Sequence, residues 1–132
     1  MAAWIDKHLE EYVRNCFPDR YVSAYHKSGT WQTSRYIQVS TCLKDEKHIH
    51  YEYYQEHIEL HLEDKFQSED YRQFAKELRQ QTSRNPKLSW HSWQGRSQCR
   101  CRLDAPVHDR DAVVNSLKEI VAIFDELIKN AY

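Results

Sequence analysis

The feature that most constrains the fold is the polar–apolar alternation of residues 48–63, HIHYEYYQEHIELHLE. Successive side chains of a β-strand point to opposite faces, so apolar residues at every second position mark one buried face. The alternation occurs on both sides of Gln55-Glu56, which predicts a β-hairpin with a two-residue turn. In that register Glu52 lies opposite Glu59, and His50 lies opposite His61.

Strand and helix patterns alternate along the rest of the chain. Predicted helices cover residues 3–16, a segment capped by Ser68, and a C-terminal segment capped by Asp109. Further strands are predicted near residues 21–26, 37–43, 88–90 and 99–103. The sequence therefore predicts one α+β domain over residues 1–132, in the order αββββαββα. About six strands form an antiparallel sheet, and three helices cover its apolar face, with Leu117, Ile120, Val121 and Phe124 in the core.

Composition excludes several classes of protein. With two glycines among 132 residues, the chain has no Gly-rich phosphate loop, and its net charge of −1 argues against a wholly basic nucleic-acid binder. No apolar run approaches the ~20 residues of a membrane span, and the amphipathic start does not resemble a signal peptide. Four cysteines without CxxC spacing then predict reduced thiols in a cytoplasmic protein that does not contact membranes.

The polar face of the predicted hairpin carries candidate metal ligands. Imidazole and carboxylate groups bind zinc and other divalent ions, so the pattern predicts a divalent-metal site of His50, His61, Glu52 and Glu59. The opposed pair Glu52 and Glu59 would repel each other unless a positive group lay between them. The simpler interpretation is that this face is the solvated side of the sheet and binds no cofactor.

One enzymatic hypothesis follows from the same segment. A metal-dependent hydrolase or nuclease could use the hairpin 48–63, because carboxylates and histidines hold metal ions that activate water. The pairs Pro18-Asp19 and Glu63-Asp64-Lys65 also imitate the Pro-Asp and Glu-x-Lys elements of a large nuclease superfamily. However, Pro18-Asp19 is equally typical of a helix end followed by a turn, and we predict no catalytic residue.

Charge is distributed unevenly along the chain. Residues 44–70 contain nine acids and three lysines, whereas residues 71–102 contain eight basic residues and one acid, Glu77. Within hairpin 88–102, arginines and an aromatic residue could contact nucleic-acid phosphates and bases. The candidate binding residues are Trp93, Arg96, Arg100 and Arg102. Alternatively, the basic hairpin pairs with the acidic one in the sheet, so that their charges cancel.

Several segments resemble a family of uncharacterised bacterial domains that accompany restriction and defence proteins. The shared features are Trp31, Leu60-His-Leu62, Phe74-x-x-x-Leu78, Leu88-Ser-Trp90, Arg100-Cys-Arg102 and the final helix with Phe124. The resemblance implies an α+β fold and a bacterial source, and it supplies no catalytic residue. The function that we predict is a non-enzymatic binding module whose partner is a protein, with nucleic acid as the alternative partner and no prediction of oligomeric state.

Overall fold

The computed structural model describes residues 2–26, 35–54, 56–63, 69–93 and 96–131. The described residues form a six-stranded antiparallel sheet in the order β1-β2-β3-β4-β6-β5. The strands are β1 (Val22–His26), β2 (Arg35–Ser40), β3 (Ile49–Tyr54), β4 (His57–Leu62), β5 (Leu88–Trp93) and β6 (Arg96–Leu103). The helices are α1 (Lys7–Cys16), α2 (Glu69–Thr82) and α3 (Arg110–Ala131). The predicted α+β fold and its element order αββββαββα are confirmed.

The apolar face of the sheet and the three helices share one core. Tyr51 and Tyr53 of β3 and Phe124 of α3 are completely buried in it. The hydroxyl of Tyr51 donates to Asp125 Oδ1 at 2.6 Å, and that of Tyr53 donates to the carbonyl of Ala3 at 2.7 Å. Leu117 and Ile120 are buried as predicted, whereas Val121 is only partly buried.

Several predicted boundaries differ from the structure, among them the start of α1 and the end of β2. α1 begins at Lys7 rather than at residue 3, because the carboxylate of Asp6 accepts a hydrogen bond from the amide of Leu9 and caps the helix. β2 ends at Ser40, although the alternation continues to Leu43. In contrast, Asp109 caps α3 as predicted, since its Oδ1 accepts from the amide of Ala112 at 2.8 Å.

Some predicted features lie outside the described residues. They are the turn at 27–30, Trp31, the turn residue Gln55, Asp64, Lys65, the cap Ser68 and the turn residue Gly95. The four cysteines are not disulfide-bonded. None of the described helices is both long and apolar enough to cross a membrane.

Side chains of α1 cover the free edge of β1. Arg14 Nη2 donates to the carbonyl of Val22 at 2.8 Å, and the amide of Ala24 donates to Glu10 Oε2 at 3.3 Å. Arg14 and Glu10 are also paired with each other at 2.7 Å. An edge strand presents backbone groups that can pair with another chain. The two side chains occupy such groups and so oppose edge-to-edge association.

We expect the double substitution Glu10→Ala and Arg14→Ala to promote self-association. The stability of the domain should change little, since an exposed ion pair contributes only about 0–1 kcal/mol. Sedimentation velocity over a range of protein concentrations measures the effect, with the exposed pair Lys7→Ala and Glu11→Ala on the same helix as the control. Equal association of both double variants would contradict the role of Glu10 and Arg14.

Candidate functional site

The polar face of the central strands is buried, which corrects the interpretation of this face as solvated. His50 is 1% exposed, Glu52 2% and Glu59 1%, and the side chains of His61 and Arg100 are also buried. β3, β4 and β6 lie inside the sheet, so each of these side chains is flanked by side chains of a strand on either side. The structure therefore contains a second, polar interior.

Three atoms of this interior form a nearly equilateral triangle. His50 Nε2 lies 3.0 Å from Glu52 Oε1, His61 Nδ1 lies 3.3 Å from the same oxygen, and the two nitrogens are 3.2 Å apart. The hairpin register produces this arrangement, because His50 is directly opposite His61, as predicted. Glu52 lies two residues from His50 on the same face of β3 and diagonally across from His61 on β4.

The electrostatics of the triangle favour an ionised carboxylate. Burial alone would raise the pKa of Glu52, but the hydrogen bonds and charges of His50 and His61 outweigh burial and hold the pKa well below its usual range. His50 Nδ1 is buried and makes no hydrogen bond to the described residues. The His50 ring is therefore held through Nε2, the nitrogen that faces the carboxylate.

Glu59, also a predicted metal ligand, is paired with an arginine. Arg100 Nη1 donates to Glu59 Oε2 at 2.5 Å and to Glu52 Oε2 at 3.0 Å. The guanidinium is thus the positive group that the opposed carboxylates were predicted to need. β6 pairs with β4 so that Arg100 lies opposite His61, and the hairpin alone could not reveal this neighbour.

Glu63, which was not among the predicted ligands, lies near the two histidines. Among the described residues, one ligand atom each of His50, His61 and Glu63 lie within 4.8 Å of one another. Glu63 Oε1 is 3.9 Å from His50 Nε2, and its other oxygen is 3.4 Å from His48 Nδ1. The Glu63 side chain is 37% exposed, so this carboxylate stands at the solvent-facing end of the group. Its place directly after β4, next to the backbone of His48, is the sequence signal that could have identified it.

Arg100 is not part of an exposed basic surface. It is buried and paired with two carboxylates, while Arg102, the next residue on the same face, is partly buried. Trp93 and Arg96 are partners in the β5–β6 register, and their side chains lie outside the described part. The prediction that the acidic and basic hairpins pair in the sheet is confirmed by the β4–β6 ladder.

The Pro-Asp element has a structural explanation. Pro18 and Asp19 form the turn that follows α1, as the simpler interpretation predicted. The Asp19 carboxylate is 71% exposed and lies 3.7 Å from Arg20 Nε. Lys65, the lysine of the Glu-x-Lys element, is outside the described residues.

Comparisons of the chain with protein-family models, with curated proteins and with solved structures find no match. The resemblance to bacterial domains that accompany defence proteins therefore stays a prediction. Any proposal about function rests on the geometry of the polar interior.

Proposed function

We propose that the chain is a non-enzymatic binding module that holds one divalent transition-metal ion, with zinc as the preferred ion. His50 Nε2, His61 Nδ1 and Glu52 Oε1 are the proposed ligand atoms, and Glu63 supplies the fourth ligand from the rim. The single observation that carries the proposal is the triangle of three donor atoms with sides of 3.0, 3.2 and 3.3 Å.

The size of the triangle matches a tetrahedral zinc site. Zn–N and Zn–O bonds are about 2.0–2.1 Å long, so neighbouring ligand atoms in a tetrahedral site are about 3.3 Å apart. The three sides observed differ from that value by at most about 0.3 Å. Two imidazole nitrogens and carboxylate oxygens are also ligand types that zinc binds. The spacing of the three donor atoms is therefore compatible with one bound zinc ion.

The charge of the polar interior also supports a cation. Two buried carboxylates, Glu52 and Glu59, share one buried guanidinium, Arg100. One negative charge is left over in the interior, and Glu63 adds a second at the rim. A buried charge without compensation is costly. A divalent cation would balance both remaining charges.

A closed site supports a binding role over catalysis. Catalytic zinc keeps an open position for water or substrate, whereas structural zinc is surrounded by protein ligands. His50, His61 and Glu52 are buried, and the proposed fourth ligand, Glu63, is the partly exposed one at the rim. Protein remains the partner that we propose for the module. Exposed aromatic residues such as Trp4, Tyr21 and Tyr25 support this, because aromatic side chains are enriched at protein interfaces.

Zinc titration of the untagged, metal-free protein tests the proposal. With a chromophoric chelator as competitor, we expect one Zn²⁺ per chain. His50→Gln and His61→Gln should each weaken binding by more than the roughly 10–100-fold that loss of a supporting group costs. His57→Gln is the matched control, because His57 is exposed on the same hairpin.

Two outcomes would oppose the proposal. Undetectable zinc binding by the folded wild-type protein would reject the site, and so would an equal loss of affinity in His57→Gln. The enzymatic alternative is tested on the same samples. We expect zinc-loaded protein to leave single- and double-stranded DNA and RNA intact, and cleavage that is lost in His61→Gln would favour the nuclease hypothesis instead.

A further inference from the structure

The two oxygens of Glu52 have different partners. Oε1 lies 3.0 Å from His50 Nε2 and 3.3 Å from His61 Nδ1, whereas Oε2 accepts a hydrogen bond from Arg100 Nη1 at 3.0 Å. An oxygen that is held by a guanidinium points away from the triangle. Glu52 can therefore offer one oxygen, and only one, to an ion bound there.

Arg100 is itself fixed in place on two sides. Its Nη1 donates to Glu59 Oε2 at 2.5 Å, and its guanidinium carbon lies 5.6 Å from the centre of the Tyr54 ring. Glu59 also has an electrostatic effect, because its negative charge cancels the positive charge of Arg100 next to the proposed cation. Without Glu59, the guanidinium would repel that cation across a medium of low dielectric constant.

We infer that Arg100 and Glu59 are positioning residues that determine which metal the site accepts. The inference rests on the proposed function. By holding Oε2, Arg100 limits Glu52 to monodentate coordination and keeps the coordination number at four, which suits Zn²⁺ and Co²⁺. Ca²⁺ takes six to eight oxygen ligands and often needs bidentate carboxylates, and Mg²⁺ prefers octahedral oxygen ligands. The structure thus disfavours both hard cations at this site.

The visible absorption spectrum of the Co²⁺-loaded wild-type protein reports the coordination number of the metal. Four-coordinate Co²⁺ absorbs visible light strongly, whereas six-coordinate Co²⁺ absorbs weakly. We expect strong absorption that Zn²⁺ abolishes by displacement and that a large excess of Ca²⁺ or Mg²⁺ leaves unchanged. Weak absorption, or displacement by Ca²⁺, would overturn the inference whether or not any variant folds.

Two variants then separate the roles of the positioning residues. Glu59→Gln keeps the hydrogen bond between Arg100 and Glu52 but leaves the guanidinium charge uncancelled. It should weaken Zn²⁺ binding by about 10–100-fold and retain the strong cobalt spectrum. Arg100→Lys retains a positive charge but lacks the planar fork that holds two carboxylates. It should weaken Zn²⁺ binding by a similar factor and also shift the cobalt spectrum towards that of higher coordination.

Arg102→Lys, on the same strand and the same face, is the control and should match the wild-type protein. Circular dichroism of each variant confirms that it is folded before titration. If wild-type protein binds zinc and both variants bind it equally well with unchanged cobalt spectra, the inference fails while the proposed metal site stands. If wild-type protein binds no metal, the proposed function itself fails.

Discussion

Substitution of Arg100 by Met is expected to lower the free energy of unfolding by about 3–5 kcal/mol. Arg100 donates to Glu52 and Glu59, and all three side chains are buried. Its loss would leave two buried carboxylates close together without the guanidinium that pairs with both. Domains of this size have a total stability of about 5–15 kcal/mol, so the substitution would bring a weakly stable domain close to unfolding.

Urea denaturation of metal-free protein measures this effect. Arg102→Met is the matched control on the same strand and face, and we expect it to cost at most about 1 kcal/mol. Adding Glu59→Gln to Arg100→Met should restore part of the lost stability, because one of the two uncompensated charges is removed. Equal losses for Arg100→Met and Arg102→Met, or no recovery in the double variant, would contradict the role of Arg100 as the central cation.

Zinc itself is expected to stabilise the folded domain by several kcal/mol. A ligand that binds only the native state adds about 2.7 kcal/mol at a free concentration of 100 Kd and about 4.1 kcal/mol at 1,000 Kd. The ligands come from β3, from β4 and from the residue after β4, so they are together only in the folded hairpin. His61→Gln should abolish the stabilisation, and His57→Gln should preserve it. Thermal unfolding with and without zinc, at fixed free-metal concentration, provides the measurement.

Most of the fold could be predicted because local patterns determine it. Alternation with a period of two identified the hairpin, and the position of Gln55-Glu56 then fixed Glu52 opposite Glu59 and His50 opposite His61. The ends of the helices and strands were less predictable, because they depend on single hydrogen bonds. The Asp6 cap ends the extended segment before α1, and no periodicity marks that change.

The candidate site could be predicted only in part. Two strands are enough to place His50, His61 and Glu52 together, and the hairpin sequence contains both strands. The partner of Glu59 is on a third strand that is about forty residues away in the sequence, since Arg100 reaches it through the β4–β6 pairing. The burial of this face was not predictable either, because an alternating polar residue looks the same whether its face is solvated or covered. The need for a positive group between Glu52 and Glu59 was the one sequence signal that pointed to a cation beside them.

The most direct test of the proposed metal site is anomalous diffraction at the zinc absorption edge, on crystals of untagged protein loaded with one equivalent of Zn²⁺. We expect a single strong anomalous peak about 2.0–2.1 Å from His50 Nε2, His61 Nδ1 and Glu52 Oε1, with Glu63 as the fourth ligand. A peak at another group of residues, or crystals of the loaded protein with no peak in the triangle, would contradict the proposed metal site.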